Sequence, residues 1–152
     1  MNQDRVQQPI GEYVVGYCFR EGFDAVVLIE KRKPAWQAGK LNGVGGKVEL
    51  REPPYRAMVR EFEEEAGVCI TSWLHIRTEQ FDNGTGARVH HFACCIPADD
   101  FARVTTMEKE PIVKVQYPLG ENTRKRVIYN LPYLIPMGAI LLQQPPENRP
   151  IQ

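Results

Sequence analysis

The sequence has no charge bias: its 152 residues carry 19 Lys and Arg against 19 Asp and Glu. That balance gives no electrostatic basis for binding long nucleic acid or an anionic membrane, although a small anionic ligand needs only a local field. There is no long apolar run either. The greasiest stretch, Leu131 to Leu142, is shorter than the roughly 20 residues of a bilayer span and contains Pro132 and Pro136. No two cysteines form a C-x-x-C pair. Cys94 and Cys95 are adjacent, so on a strand they point to opposite faces and make a poor zinc pair or disulfide. With Cys18 and Cys69 they are expected to be reduced thiols of a reducing compartment. His90 and His91 are adjacent too, one per face, and so are no metal pair. Residues 1–10 are polar and show no apolar signal core, which places the chain in the cytoplasm. No internal repeat and no dividing linker is visible.

What is present fits one soluble domain. Hydrophobic residues make up 43% and charged residues 25%, and the length suffices for a self-sufficient core. Residues 1–10 read as a flexible arm, 11–142 as the domain and 143–152, with three prolines, as a disordered tail. Tyr13 to Phe19 and Asp24 to Glu30 are β-rich runs parted by Glu21-Gly22. A basic loop, Lys31 to Lys40, leads into a short extended stretch, Leu41 to Val48, with three glycines. Pro53-Pro54 marks a helix start, and Gly67 its left-handed end. Tyr55, Met58, Val59, Phe62 and Ala66 lie on one face of that helix. Thr71 to Phe81 and Ala87 to Ile96 read as a hairpin around Asp82-Asn83-Gly84-Thr85-Gly86. Pro97 to Arg103 reads as a loop or helical turn, Ile112 to Tyr117 as a strand and Asn130 to Leu142 as a second helix. The fold class is α/β, an α/β/α sandwich around one mixed sheet.

The chemistry lies in Gly46 to Val68, GKVELREPPYRAMVREFEEEAGV. On a helix, Glu61, Glu64 and Glu65 fall at i, i+3 and i+4, within an arc of roughly 100°. Three carboxylates on one patch repel one another. A hard divalent cation relieves that repulsion, and magnesium favours carboxylates together with phosphate. Taken alone, three such glutamates more often make a solvated acidic face.

Their surroundings change the weighting. The segment resembles the Nudix signature, G-x5-E-x7-R-E-U-x-E-E-x-G-U with U a bulky aliphatic or aromatic residue. Gly46, Glu52, Arg60, Glu61, Phe62, Glu64, Glu65, Gly67 and Val68 fill every specified place. The resemblance implies the Nudix fold and hydrolysis of a nucleoside diphosphate linked to another group, with Mg2+, or Mn2+ in its stead, as cofactor. It implies Glu61, Glu64 and Glu65 as metal ligands, with the Gly45 carbonyl facing the metal site. Gly46, Glu52, Arg60 and Gly67 are implied to be structural, Glu52 pairing with Arg60. Glu64 is the first choice for activating water. Related enzymes also carry the base on a later loop, which makes Glu110, and after it Glu108, candidates. One departure is visible: many members have Pro-Gly before the first glutamate of the signature, where this chain has Leu50-Arg51.

Substrate choice lies outside the signature. The stretch Lys31 to Lys47 resembles MutT-like and 8-oxo-dGTP diphosphatase-like enzymes, in which the asparagine of N-G-x-G-G-K contacts the purine. Asn42 matches it. An amide both donates and accepts, which suits a purine edge, although asparagine equally often satisfies a turn. Asn130 lies near where an acidic base reader is found in the mammalian relatives. Lys33 and Lys40 are candidates for phosphate contact and Trp36 for stacking on a base. The expected partner is a small nucleotide, (d)NTP or oxidised dNTP, with nucleotide sugars or non-catalytic nucleotide binding as alternatives. A homodimer stays open.

Overall fold

The computed structural model describes residues 11–81 and 86–149. The proposed arm, residues 1–10, lies outside them, as do four of the five expected hairpin-turn residues and the last three of the tail. Seven strands form one mixed sheet: β1 (Glu12–Arg20), β2 (Ala25–Glu30), β3 (Leu41–Asn42), β4 (Val44–Lys47), β5 (Leu74–Gln80), β6 (Arg88–Ile96) and β7 (Ile112–Gln116). The central order is β3-β2-β1-β6-β5, with β4 on β1 and β7 on β2. β1 and β6 run parallel along their whole length, Glu12 opposite Arg88 through Arg20 opposite Ile96. The other pairings are antiparallel.

Period-two alternation sorts side chains to two cores. Val14, Cys18, Val27, Ile29, Phe92 and Cys94 meet α1 (Pro54–Ala66) and α2 (Ala98–Arg103) on one face. Tyr17, Phe19, Val26, Leu28 and Ala93 meet α4 (Leu131–Gln143) on the other. This is an α/β/α sandwich. Cys94 and Cys95 go to opposite faces, and all four cysteines are free thiols. α1 buries Ala57, Met58, Phe62 and Ala66. Fully burying side chains the size of Met58 and Phe62 contributes about 1.5–3 kcal/mol each. Tyr55, expected on that buried face, is instead exposed and donates to the Thr71 carbonyl.

Residues 98–103 take the helical of the two forms expected there, as α2. Two parts differ from the sequence reading. A helix not foreseen, α3 (Glu121–Arg126), has no buried residue and hence no apolar stripe to betray it. Gln143 belongs to α4, and the tail beyond it carries a 3-10 turn, Pro146–Asn148. Arg149 folds back there, donating to the carbonyls of Leu141, Leu142 and Gln144, which satisfies the open end of α4. Among the described residues no helix is long and apolar enough to cross a membrane.

Candidate active site

The helix that carries the carboxylates is fixed at both ends by local chemistry. Pro54 occupies its first turn, where a missing N–H is harmless. At its far end Gly67 takes φ 82, and its N–H donates to the Glu63 carbonyl at 2.9 Å. The next loop completes that end: the Thr105 and Met107 N–H groups donate to the carbonyls of Ala66 and Glu65, each at 3.1 Å. The same contacts bring Glu108 and Glu110 alongside the carboxylates of α1, close enough for both to act on Glu65.

Close backbone approach sets the opposite wall. A Cβ on Gly46 would stand 2.5 and 2.6 Å from the two Glu61 carboxylate oxygens, so only glycine leaves that carboxylate its place. A Cβ on Gly45 would instead fall on the Val14 carbonyl oxygen within the β1–β4 pairing.

Arg60 organises the acidic group. Its Nε and Nη2 donate to Glu52 at 2.8 and 2.9 Å, a two-pronged pair, and Nη2 also reaches the Lys47 carbonyl at 3.0 Å. Its Nη1 donates to Glu61 at 2.9 Å and Glu64 at 3.2 Å. The hydrogen bond from Arg60 chiefly holds the Glu52 carboxyl below its usual value. Glu61 is raised, mainly by burial, with repulsion from Glu64 and Glu108 opposing the pull of Arg60. Glu65 is pushed up to about 8 by burial and then by Glu61, with Lys31 pulling the other way. Its Oε2 is buried without a hydrogen-bond partner.

As they stand, and among the described residues, no three carboxylate, histidine or cysteine side chains are grouped to hold a metal ion. Arg60 draws Glu61 and Glu64 towards itself. The residues nevertheless fit a divalent cation. A buried carboxylate oxygen lacks a partner, its neighbours are charged oxygen donors, and their mutual repulsion is what such an ion relieves.

The remaining candidates divide. Glu110 binds the basic loop: it pairs with Lys31 at 3.0 Å and accepts from the N–H groups of Arg32 at 2.6 Å and Lys33 at 3.4 Å. Burial alone would raise its carboxyl, but these donors hold it below its usual value. Asn42 is engaged on both sides of its amide, donating to Gln37 at 3.2 Å and accepting from the Gly43 N–H at 2.8 Å. The Lys33 and Lys40 side chains are exposed, as is Trp36 at 58%. Asn130 donates to Glu79 at 2.8 Å. Two residues were missed by the sequence reading. Lys31 is the cation that acts on Glu65, and Glu79 holds Asn130. Neither had a signal beyond its place in a basic loop or an exposed-looking strand. Two cavities, of about 220 Å³ by Cys69, Cys95 and Arg103 and about 540 Å³ by Arg124 and Pro132, are not lined by the carboxylates of α1.

Comparison with known proteins agrees with this geometry. Solved structures with the same fold include the MutT protein of Methanosarcina mazei (17% identity, 91% of this chain and 99% of that one, TM-score 0.66). An Ap4A hydrolase of C. elegans matches at 16% identity over 87% and 98%, TM-score 0.64. The NUDIX domain of Shewanella oneidensis NrtR, complexed with ADP ribose, matches at 14% identity over 85% and 86%, TM-score 0.62. No curated protein matches the sequence. The NUDIX domain model matches residues 12–128, which take in β1, the glycines of β4, all of α1 and the loop of Glu108 and Glu110, and the chain therefore belongs to the NUDIX domain family.

Proposed function

We propose that this chain hydrolyses a phosphoric anhydride bond in a nucleoside diphosphate linked to a further group. We assign as substrate a (d)NTP, normal or oxidised, cut to NMP and pyrophosphate. The observation that carries the reading is the partnerless, buried Glu65 oxygen beside Glu61 within an unbroken signature.

Glu61, Glu64 and Glu65 would hold Mg2+, or Mn2+ in its place, with the Gly45 carbonyl beside them. When bound, the ion neutralises phosphate charge and acidifies water. Glu64 is the most open of the three ligands and takes the proton from the attacking water at its carboxylate. Glu110 stands second for that task, because its oxygens already hold Lys31, Arg32 and Lys33. Arg60 and Glu52 brace the loop against α1, and Gly46 leaves Glu61 its place. Lys33 and Lys40 are offered to phosphate, Trp36 to the base face, and Asn42 and Asn130 to its edge. Four free thiols go with a reducing compartment, the cytoplasm.

A second reading is hydrolysis of another nucleotide diphosphate derivative, of nucleotide sugar type. The engaged amide of Asn42 favours it, since a base reader in use within its own loop has less to offer a purine.

The test is a panel of nucleoside triphosphates and nucleotide sugars with Mg2+, assayed for pyrophosphate against orthophosphate. We expect pyrophosphate from triphosphates, none in excess chelator, and a metal-induced rise in unfolding temperature that Glu65→Gln removes. Full turnover in excess chelator would sink the metal-dependent reading.

A further inference from the structure

Asn130 stands at the N-terminal boundary of α4, where an asparagine commonly caps its helix, yet its side chain makes no cap hydrogen bond. Its Nδ2 donates instead to Glu79 Oε1, at 2.8 Å. The same oxygen meets His91 Nε2 at 2.7 Å, and His91 Nδ1 meets the Tyr17 hydroxyl at 2.9 Å. Four polar side chains thus run in one chain from the fully buried Tyr17 to the half-buried Asn130. Tyr17 lies in the α4-side core with Leu131, Leu134 and Ala93. Packing there asks only for apolar side chains, and a buried polar chain is costly unless every member is satisfied.

The direction of each bond follows from the carboxylate, which only accepts. His91 therefore carries its proton on Nε2, its Nδ1 is an acceptor, and Tyr17 donates. Burial holds His91 below its ordinary value and pushes the Tyr17 hydroxyl up, so a neutral imidazole and a protonated phenol suit this polarity. Asn130 must turn its NH2 to Glu79, and its Oδ1 then takes no hydrogen bond among the described residues.

Tyr17, and the backbone just before Asn130, pack against the segment that leads to the carboxylates. A Cβ on Gly43 would lie 2.8 Å from Tyr17 Cε1. Asn130 follows Ile128, whose N–H donates to the Leu41 carbonyl at 2.9 Å. The segment is thereby contacted at Leu41 by Ile128 and at Gly43 by Tyr17.

We propose that Glu79 is a positioning residue for substrate selection, holding the Asn130 amide through the Tyr17–His91–Glu79 chain with its oxygen free, so that the substrate edge read there offers an N–H donor. This rests on the nucleotide reading given above.

Glu79→Ala removes the one oxygen that accepts from both His91 and Asn130, so that nothing fixes which end of the Asn130 amide faces the substrate. Glu79→Gln places an amide oxygen there, which can accept from both and keeps the Asn130 oxygen free. The measurement is kcat/KM with Mg2+ for dATP, dGTP, dITP and dCTP in the wild type and the two variants, alongside thermal unfolding and the Asn130 side-chain amide resonance in 15N-labelled protein. We expect Glu79→Ala to change the ratio of best to worst base by about tenfold or more, the scale on which an unpaired polar group discriminates, and Glu79→Gln to keep it close to the wild type. An equal drop for all four nucleotides in Glu79→Ala, or a ratio in Glu79→Gln that moves as far as in Glu79→Ala, overturns the proposal while leaving the functional reading intact. A wild type that cuts none of the four, and whose Asn130 resonance none of them moves, overturns both.

Discussion

Arg51 holds a left-handed backbone, φ 65, at the place where many chains with this signature carry glycine. A side chain with a Cβ costs roughly 1–2 kcal/mol in that region, and glycine returns part of the gain through its looser unfolded chain. Arg51→Gly should therefore raise stability by about 0.5–1 kcal/mol, about 1–4 °C for a domain of this size, with turnover unaltered. Urea unfolding checks it, and a loss of stability would mean that the arginine side chain matters more than its backbone. Glu52 gives a pH-dependent counterpart. Arg60 lowers its carboxyl below the ordinary 4.5 in the folded chain. The unfolded chain then binds the extra proton as pH falls, so the stability contributed by this pair is complete above about pH 4.5 and disappears below the lowered folded value. The gap in unfolding temperature between wild type and Glu52→Gln should be full at pH 7 and close on acidification through that window. A gap that stayed constant down to the acid end would show that the pair's charge is not what stabilises the loop.

β4 shows how two neighbouring glycines serve different ends. A Cβ at Gly45 falls on Val14 backbone and one at Gly46 on the Glu61 carboxylate, and backbone cannot yield as a side-chain end can. Gly45→Ala should cost stability on the upper side of the about 1–3 kcal/mol typical of overpacking. Gly46→Ala should leave the unfolding temperature much closer to wild type but lower metal affinity and turnover by moving Glu61. Thermal unfolding beside metal titration separates them, and equal unfolding temperatures would refute the distinction. Elements of this kind were legible in the sequence because their signals are local. Proline, glycine and helical spacing mark α1 to within a residue, and alternation marks β1, β2, β6 and β7 closely. α3 was not legible, because Glu-Asn-Thr-Arg-Lys-Arg has no apolar stripe and its helix buries nothing. Arg149 reaches carbonyls five to eight residues back, which no composition shows. The candidate site divides the same way. The carboxylates of α1 follow from spacing alone, whereas the contacts of Asn42, Glu79 and Asn130 depend on tertiary pairing. Glu79 reaches His91 only through a β5–β6 register that shifts between His75 and Arg77.

At the scale of the whole molecule the sheet separates two tasks. The α1 face carries the carboxylates, and the α4 face carries the Tyr17–His91–Glu79–Asn130 chain. Sites that share no partner add their effects within about 0.5 kcal/mol, close to a factor of two in rate. Glu64→Gln, which keeps shape but removes the charge, should lower turnover by about 10²-fold or more, the lower range for a general base, with the ratios among bases untouched. Glu79→Ala should shift those ratios and leave the Mg2+-induced rise in unfolding temperature as it is, because no residue of its chain belongs to the carboxylate group. In the double variant the two losses in kcat/KM should multiply within about a factor of two, the tolerance just stated. A physical link between the faces is the segment Leu41-Asn42-Gly43, which touches Tyr17 on one side and runs into Val44 and the glycines beside Glu61 on the other. A double variant far better or far worse than the product would mean that the faces are coupled, with this segment the route nearest both. Gly43→Ala, whose Cβ would meet Val15, the Gly16 carbonyl and Tyr17 at 2.6 to 2.8 Å, costs stability in either case, but it would then change metal affinity as well as base preference, whereas independent faces require metal affinity to stay as it is.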